Sequence, residues 1–338
     1  MKLRTPRWWY ERGRRSIRII RALATPVSWI WAWATARRLA RGTPVDPGVP
    51  VICVGNLTAG GSGKTPVVLA FADYFRRIGQ WPHILGRGYG GRLKGPVQVD
   101  PSIHTAGDVG DEALMMASYA PVWVARDRAA GALAAAKAGA ELILMDDGHQ
   151  NPTVLKTLSL VVVDGETRDD EWPFGDGAVF PAGPMREPLS AGLARADAVV
   201  ILLPDDMAEA DAGLLALLTS KPVLVARLSP TAPPPTGPQV GFAGIAKPWK
   251  VERALKAAGC DLVDFAPLAD HAAISEGTLH FLAARAESLG AGLVTTEKDW
   301  ARLPAVWRAR VTPWPVAAKF MHEAALAALV EAAIGGAL

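Results

Sequence analysis

Cysteine is scarce in this sequence, with two residues in 338, Cys53 and Cys260. Each lies in or beside an apolar run that predicts a strand, and neither belongs to a Cys-x-x-Cys or Cys/His cluster. This argues against a thiolate metal site and indicates a reducing compartment. Also missing near the N-terminus is an apolar run of about 20 residues, the length that crosses a bilayer. The uncharged run between Arg21 and Arg37 has fifteen residues, and we expect Pro26 to interrupt it.

Acidic residues are nearly absent from the first 42 positions, where Glu11 stands against eleven lysines and arginines. This stretch carries a charge of +10, which leaves −7 for the remainder, and it holds five of the twelve tryptophans. At helical spacing the apolar positions form a stripe that is separate from the arginines. The stripe is Trp9, Ile17, Ile20, Leu23 and Val27, and the arginines are Arg14, Arg18 and Arg21. The pattern predicts an amphipathic helix lying on an anionic membrane surface.

Three other interpretations of this N-terminal arm stay open. It could pack on its own protein, bind nucleic acid, or act as an export signal through "GRRSIRII". Nucleic-acid binding is disfavoured because the aromatic residues cluster in one run and do not alternate with basic residues. Export conflicts with the ATP-dependent site described below. We therefore expect no nucleic-acid partner, and the sequence gives no signal of a protein partner.

From residue 49 onward, short continuous apolar runs alternate with Ala-rich helical stretches. Such runs are typical of parallel strands buried on both faces. The fold class predicted is therefore α/β, a P-loop NTPase-like, doubly wound, mostly parallel sheet with a second, smaller α/β domain. The predicted boundaries are 1–42 for the membrane helix, 43–228 for the larger domain, 229–239 for a Pro-rich linker, and 240–338 for the smaller domain, whose last strand-like run is 311–318.

The segment "AGGSGKTP" (59–66) follows a strand-like run and precedes a helical one, which is the context of a phosphate-binding loop. Thr58 stands where the usual pattern has its first glycine, and side-chain bonding within Asn56–Thr58 could make that turn instead. Glycine flexibility and inward N–H groups suit phosphate, Lys64 adds charge, and the Thr65 hydroxyl suits Mg²⁺. The predicted nucleotide-binding residues are Ala59, Gly60, Gly61, Ser62, Gly63, Lys64 and Thr65.

Two acids end the buried run "LILMDDG", as expected for carboxylates beside a phosphate loop. Adjacent residues of a strand point to opposite sides. One of Asp146 and Asp147 could therefore hold Mg²⁺ directly, and the other could bind a metal-bound water or a substrate proton. ATP and Mg²⁺ are thus the expected cofactors, with Lys64 and Asp147 among the catalytic residues.

At this point the chain resembles a known family. The motifs "GNLTAGGSGKTP", "LGRGYGG", "GDEA", "LMDDGHQN", "PAGPMREPL", "GFAGIAKP", "LADH" and "TTEKD" occur in this order over about residues 45–300. The set is similar to that of the tetraacyldisaccharide 4′-kinases of lipid A biosynthesis. The resemblance implies a transferase at the cytoplasmic face of the inner membrane. It would transfer the γ-phosphate of ATP to the 4′-hydroxyl of a tetraacylated glucosamine disaccharide 1-phosphate, bound near a cleft between two domains.

The resemblance also implies roles for individual residues. Asp111 and His271 would form the catalytic pair, and either could take the hydroxyl proton. Asp146 and Asp147 would handle Mg²⁺ together with Thr65. The residues expected to face the sugar and its 1-phosphate are Arg87, Tyr89, Asn151, Arg186 and Glu187. "TTEKD" (295–299) is expected near the nucleotide without an assigned role.

Some positions depart from the family pattern. His149 and Asn151 stand in "DDGHQN" where the family commonly reads "DDGFQH", Ala272 replaces the tyrosine of "DHY", and Ala246 replaces a glycine. A membrane-associated P-loop ATPase or switch without a small-molecule acceptor is the alternative function. A soluble small-molecule kinase whose arm packs internally is a third.

Overall fold

The computed structural model describes residues 6–10, 18–169, 171–270 and 274–335. A short 3₁₀ turn, Arg7–Trp9, precedes the first α-helix. The α-helices of these ranges are α1 (Arg18–Ala40), α2 (Lys64–Arg77), α3 (Ala106–Val109), α4 (Asp111–Met116), α5 (Arg128–Lys137), α6 (Leu189–Ala194), α7 (Ala212–Leu218), α8 (Pro248–Ala257), α9 (Glu276–Ser288), α10 (Glu297–Ala301), α11 (Ala305–Arg308) and α12 (Glu323–Ile334).

The strands form two sheets. They are β1 (Val51–Gly55), β2 (Pro82–Gly86), β3 (Val97–Gln98), β4 (Val122–Val124), β5 (Leu142–Asp146), β6 (Leu158–Asp164), β7 (Ala198–Pro204), β8 (Val223–Pro230), β9 (Gln239–Ala243), β10 (Leu262–Pro267), β11 (Gly292–Thr296), β12 (Val311–Trp314) and β13 (Val316–Phe320). The larger sheet has the order β13-β8-β7-β6-β1-β5-β2-β4-β3 and the smaller has β10-β9-β11-β12.

The larger sheet is parallel except at its two edges, where β3 and β13 run antiparallel to their neighbours. Its central strands are buried on both faces, which explains their continuous apolar sequences. Strand β1 lies between β5 and β6, with Val54 opposite Asp146 and Gly55 opposite Val161. The loop after β1 and the acids after β5 therefore meet at one edge, where open α/β sheets place their ligands.

Helix α2 carries the phosphate loop onto this sheet. Its residues Val67, Val68, Phe71 and Phe75 are fully buried in the core beneath the central strands. Burying each large apolar side chain stabilises the fold by roughly 1.5–3 kcal/mol. The helix start is therefore held firmly against the ends of β1 and β5.

The smaller sheet is entirely parallel and encloses its own core, which includes Phe242, Leu279 and Trp307. The predicted fold class, a mostly parallel α/β sheet with a second, smaller α/β unit, is confirmed. The C-terminal boundary differs from the prediction, however. The run 311–318 divides at Pro315, and β13 returns to pair with β8 of the larger sheet. Helix α12 follows it, and its Leu326, Val330 and Ile334 lie in the larger core.

An ionic cluster joins the smaller unit to the larger one. Lys247 and Lys250, at the start of α8, place their ammonium groups 2.9 Å and 2.7 Å from the carboxylate of Asp164. Lys250 also lies 3.1 Å from Glu166, which Arg253 contacts as well. Although burial alone would raise the pKa of Asp164, the ammonium groups of Lys250 and Lys247 lower it to about 2. The two units are therefore held together by largely buried opposite charges.

Helix α1 has an inverted surface, with polar side chains facing the protein and apolar ones facing outward. Ser28 and Thr35 are buried, and the Ser28 hydroxyl donates to the Val179 carbonyl oxygen at 2.8 Å. The exposed large apolar residues of the helix are Ile19, Ile20, Leu23, Val27, Trp29, Ile30, Trp31 and Trp33. Across the described ranges, no helix is both long enough and apolar enough to span a bilayer.

Two sequence-based expectations for the arm are wrong. Pro26 lies inside α1 and does not interrupt it. Trp9 does not share the outer stripe, because it is buried in the preceding turn with its ring 5.8 Å from that of Phe180. Ile17 lies outside the described residues. Lipid contact by the arm stays a prediction.

Candidate functional site

The phosphate loop follows β1 and is held by the Asn56 side chain. Its amide nitrogen donates to the Thr58 carbonyl oxygen and to the Ser62 hydroxyl, both at 2.9 Å. Asn56 is fully buried, and its backbone carbonyl accepts a bond from Gln150 at 2.9 Å. The expectation that a side-chain bond replaces the missing first glycine is confirmed.

Two glycines of the loop adopt left-handed backbone angles that other residues avoid. Gly60 has φ 98° and Gly63, which caps α2, has φ 78°. A Cβ atom on Gly63 would lie 2.2 Å from Leu202 Cδ2, so both the angle and the space require glycine. A Cβ on Gly61 would lie 3.4 Å from the Ala246 methyl group. Ala246 of the smaller unit, which stands where the family commonly has glycine, therefore lies close to the loop.

Ala59 departs from its predicted role as a nucleotide-binding residue. Its N–H donates to the Pro184 carbonyl oxygen at 2.7 Å, and its own carbonyl accepts a bond from the Tyr10 hydroxyl. Because its amide is already bonded within the protein, Ala59 fixes the base of the loop and does not offer an N–H to phosphate. The amides that follow it remain as the candidate phosphate donors.

Lys64, the first residue of α2, lies beside Asp147. The Lys64 Nζ atom is 3.6 Å from Asp147 Oδ1, and Arg186 Nη1 is 2.7 Å from the same oxygen. Burial would raise the pKa of Asp147, but Lys64 and Arg186 hold it well below its usual range. Asp147 also has φ 53°, a strained angle of the kind that recurs at functional sites. The site therefore keeps one ionised carboxylate between two cations at the edge of the phosphate loop.

Asp146 ends β5 and is buried. Its Oδ1 atom finds no hydrogen-bond donor in the part of the chain that the structure describes. Burial, and after it the negative charge of Glu112, raise the pKa of Asp146 to about 7. A buried carboxylate oxygen without a donor is costly unless a cation satisfies it. Asp146 therefore fits a metal ligand.

The residues present fit a nucleotide-bound Mg²⁺ ion and not a protein cage. Within the described ranges there is no group of three or more His, Cys, Asp or Glu side chains that could hold a metal. Mg²⁺ commonly takes one or two protein carboxylates and completes its shell with substrate phosphates and water. Asp146, with the Thr65 hydroxyl at the start of α2, meets that requirement.

Asp111 opens α4 and is buried. The preceding residue, Gly110, occupies the N-cap position, so Asp111 is not the cap of this helix. One of its carboxylate oxygens accepts a bond from the Glu112 N–H at 2.9 Å, and the other lies 4.0 Å from Arg302 Nη1. His271, its predicted partner, lies outside the described residues.

The "TTEKD" segment spans the end of β11 and the start of α10 and contacts the larger unit beside Asp111. Lys298 Nζ lies 3.1 Å from Glu112 Oε1 and 4.0 Å from Asp270 Oδ1. Although burial would lower the pKa of Lys298, the acids Glu112, Asp111 and Asp270 raise it. The sequence analysis placed this segment near the nucleotide without a role. In the structure, Lys298 of this segment forms an ionic contact between the two units. The sequence could not indicate this contact, because the two partners are far apart along the chain.

Arg186 lies over the phosphate loop. Its Nε donates to the Thr58 carbonyl at 3.1 Å, and its Nη1 reaches both Asp147 and Gln150, the latter at 3.3 Å. Sequence reasoning missed Gln150, although it belongs to "DDGHQN". This arginine links the loop to the acidic segment after β5.

Two predicted substrate contacts are occupied by internal bonds. Glu187 is buried and accepts two bonds of 2.6 Å from Arg195 and one of 3.0 Å from Gln150. The Asn151 side-chain oxygen accepts bonds from the Thr153 N–H and hydroxyl at 3.0 Å and 3.1 Å. Glu187 is thus neutralised in the interior, whereas Asn151 is half-buried and braces the turn that follows it; substrate contact by the two residues stays a prediction.

The predicted sugar-facing pair after β2 lies open to solvent. Arg87 is exposed, and Tyr89 is 62% exposed. A Cβ on Gly110 would lie 2.5 Å from the Tyr89 carbonyl oxygen, so this loop adjoins the start of α4. The loop that carries these two exposed side chains is thus adjacent to Asp111.

His149, which replaces the family's phenylalanine, lies in the interior behind the site. Its ring nitrogens contact the Ser159 hydroxyl at 3.1 Å and the Gly192 carbonyl at 3.0 Å. Burial lowers its pKa to about 4. The imidazole therefore acts as a neutral packing residue and not as a base in the site.

Comparisons with known proteins agree with this geometry. Residues 20–335 match the family model described as tetraacyldisaccharide-1-P 4′-kinase. The chain is 67% identical over 330 residues to the tetraacyldisaccharide 4′-kinase of Phenylobacterium zucineum, covering 98% of this chain and 99% of that one. It is 65% identical over 331 residues to the enzyme of that name from a Caulobacter species, covering 98% and 99%.

Among solved structures, the fold is similar to that of the apo form of LpxK from Aquifex aeolicus in complex with ATP. The TM-score is 0.72 at 24% identity, covering 93% of this chain and 99% of the other. At that identity the likeness establishes the fold alone. The family model and the curated relatives, which cover nearly the whole chain, carry the assignment. The chain therefore belongs to the tetraacyldisaccharide-1-phosphate 4′-kinase family.

Proposed function

We propose that this chain carries out its family's reaction with the residues gathered at the ends of β1 and β5. The protein is a kinase that transfers the γ-phosphate of ATP to the 4′-hydroxyl of a tetraacylated disaccharide 1-phosphate in lipid A biosynthesis. The proposal for its own site rests on one observation. Lys64, Asp147 and Arg186 meet at the N-terminus of α2, directly after a glycine-rich loop.

The nucleotide would bind with its phosphates at this loop. The N–H groups of residues 60–65 and the start of α2 offer positive partial charge, and Lys64 adds a full charge. Thr65 and Asp146 would hold Mg²⁺, with Asp147 close by, and the ion supplies further neutralisation of charge on the phosphates. Asp147 would hold Lys64 in place until the phosphates take over that contact. The electrostatic demand of phosphoryl transfer is thus met by groups already in position.

The acceptor hydroxyl needs a base close to the γ-phosphate. Asp111 and His271 would supply it, and either member could carry the proton. A carboxylate beside an imidazole fixes its tautomer and strengthens it as a base. The support for Asp111 is its buried position at the start of α4, beside the contact between the two units.

Closure of the two units would exclude water and favour transfer over hydrolysis. Two contacts already link the smaller unit to the catalytic edge. Ala246 lies against Gly61 of the loop, and Lys298 pairs with Glu112. Arg87 and Tyr89, which are exposed on the loop after β2, would contact the sugar and its 1-phosphate, since arginine suits phosphate oxygens.

The acyl chains and the arm would lie at the cytoplasmic face of the inner membrane. The outward apolar residues of α1 support this, because soluble surfaces rarely expose such a large apolar patch. A groove of about 550 Å³ lies between α1, whose lining residues are apolar, and the segment that carries Ala191 and the paired Glu187 and Arg195. Its apolar side could receive one chain. Basic residues of the arm would contact anionic lipid.

The test is to incubate the protein with γ-labelled ATP and the lipid disaccharide 1-phosphate, and to separate lipid from free phosphate. Wild type should label the lipid. Asp111→Ala and His271→Ala should each label it at least ~100-fold more slowly, the scale for losing a general base, while still binding a nonhydrolysable ATP analogue.

Matched controls are Asp261→Ala and His322→Ala, whose side chains are exposed outside the site. Both should retain near-normal rates. Label released only as free phosphate by wild type would instead support an ATPase without a lipid acceptor. Near-normal lipid labelling by the Asp111 and His271 variants would refute the base assignment.

A further inference from the structure

Tyr10 lies where the N-terminal segment meets the phosphate loop. The residue is buried, and its backbone carbonyl accepts a bond from the Trp172 N–H at 2.8 Å. Its hydroxyl donates to the Ala59 carbonyl oxygen, 49 positions further along the chain. A buried phenol of this kind has to give up its hydration, and burial raises the pKa of Tyr10 above its usual value.

The bond to the Ala59 carbonyl fixes the orientation of the Ala59–Gly60 peptide group in the loop. The Ala59 carbonyl and the Gly60 N–H belong to one planar, trans peptide group, so they point in opposite directions. On the other side, the Ala59 N–H is bonded to the Pro184 carbonyl at 2.7 Å. Holding the carbonyl outward, toward Tyr10, therefore aims the Gly60 N–H inward, where a phosphate oxygen would bind. Gly60 itself is flexible, so without this bond the peptide can rotate.

The same tyrosine contacts the smaller unit. The Lys247 ammonium lies 4.3 Å from the centre of the Tyr10 ring, a cation–π contact in a buried setting. Lys247 belongs to the ionic cluster with Asp164 and immediately follows Ala246, the residue against Gly61. A movement of the smaller unit would therefore change the surroundings of both Tyr10 and the loop.

Continuous contacts also connect Tyr10 to α1. Arg21 of α1 donates to the Trp8 carbonyl at 3.1 Å and pairs with Asp176. The adjoining Trp9 is packed against Phe180, and its carbonyl approaches the position of a Cβ on Gly175 to 2.0 Å. The turn that carries Tyr10 is therefore fixed between α1 and the segment around Gly175.

We propose that Tyr10 is a positioning residue for the phosphate loop, whose hydroxyl orients the Ala59–Gly60 peptide and makes ATP affinity depend on how the N-terminal segment is seated. The inference rests on the proposed ATP site. It adds a residue outside the loop, the catalytic pair and the metal ligands, and it assigns the N-terminal segment a part in nucleotide binding.

The test compares Tyr10→Phe with wild type for binding of a nonhydrolysable ATP analogue and for steady-state kinetics. Losing one neutral hydrogen bond should raise the analogue's Kd and the KM for ATP about 3- to 10-fold. The KM for the lipid should stay within about 2-fold, because the Tyr10 hydroxyl acts on the Ala59–Gly60 peptide of the nucleotide loop. Tyr74→Phe is the matched control, since Tyr74 lies on α2 and packs edge-on to Phe75; it should bind the analogue like wild type.

A second variant tests the route through the N-terminal turn. Gly175→Ala should displace mainly the Trp9 carbonyl, 2.0 Å from the added Cβ, and less strongly Pro184, 3.3 Å from it, and should also weaken analogue binding. In the double variant with Tyr10→Phe, the fold-change in the analogue's Kd should be smaller than the product of the two single fold-changes, because both substitutions act on one contact. An analogue Kd for Tyr10→Phe within 2-fold of wild type, or an equal change in Tyr74→Phe, would overturn the inference. If wild type itself fails to bind the analogue, the proposed function fails first.

Discussion

Gly63 shows how a single residue determines the start of the catalytic helix. Its backbone lies in the left-handed region and its α-carbon faces Leu202 of β7. Because glycine has no side chain, the chain can turn tightly into α2 here, and Lys64 becomes the first residue of the helix, directly after the loop. A substitution here would disturb the angle and the packing together.

We expect Gly63→Ala to lower the free energy of unfolding by roughly 2–4 kcal/mol, the sum of left-handed strain and overpacking against Leu202. It should also abolish measurable binding of an ATP analogue. Gly79→Ala is the control, since Gly79 has φ 82° but nothing within 4 Å of its Cβ position. That variant should lose only about 1 kcal/mol in urea unfolding and keep nucleotide binding. Equal losses in the two variants would show that packing against Leu202 is unimportant.

At the residue scale, the sequence predicts features whose partners lie nearby along the chain. Lys64, Asp146 and Asp147 could be identified because each follows an apolar strand-like run and lies in a recognisable motif. The bond from Asn56 to the Thr58 carbonyl spans only two residues and was also foreseen. Tyr10, Gln150 and Lys298 could not be assigned, because their partners lie 49, 94 and 186 positions away. The sequence also does not reveal that Arg195 neutralises Glu187 in the interior.

Helix α1 is the element whose surface is least explained by the protein itself. Its buried side chains, Ser28 and Thr35, are small and polar, whereas its exposed face is apolar and rich in tryptophan. The sequence predicted a helix and a basic arm correctly, but it could not separate the buried Trp9 from the exposed tryptophans. That distinction depends on the long-range contact with Phe180.

For α1 we expect the double variant Trp29→Ala/Trp33→Ala to reduce binding to vesicles containing anionic lipid by at least ~10-fold, because two large apolar side chains no longer enter the interface. Binding of an ATP analogue should not change. The control is Trp81→Ala, since Trp81 is 64% exposed, close to the 69% and 62% of Trp29 and Trp33. Co-sedimentation with vesicles measures the effect, and wild-type binding by the double variant would refute lipid contact through this face. Deleting residues 1–40 is less informative, because it would also remove Tyr10.

At the scale of the whole molecule, the two units are joined by charge as well as by chain. The cluster of Asp164, Glu166, Lys247, Lys250 and Arg253 is largely shielded from water. Breaking a buried ion pair from one side is costly, since the remaining charges lose their partner. This part of the fold was not predicted, because its acids and bases are separated by about eighty residues.

We expect Asp164→Asn to lower the free energy of unfolding at neutral pH by about 3 kcal/mol. The folded-state pKa of Asp164 is about 2, below its usual 3.8, so its stabilisation is present above about pH 4 and is lost as the pH falls toward 2. That loss amounts to roughly 2 kcal/mol in wild type and should be missing from the variant. Urea unfolding between pH 2 and pH 7 measures both effects. Asp264→Asn, which removes an exposed pair with Arg285, should change little, and an equal response would contradict the assignment.

The return of β13 to the larger sheet has a consequence for synthesis. Because β13 pairs with β8 across the whole smaller unit, residues 231–315 must leave the ribosome before the larger sheet can acquire its last strand. The core beneath the phosphate loop is also incomplete until Leu326, Val330 and Ile334 have been added to the chain. A nascent chain therefore exposes an unfinished edge at β8 until β13 has been synthesised, and the nucleotide site reaches its full support only once residues 316–334 have joined the larger sheet and core.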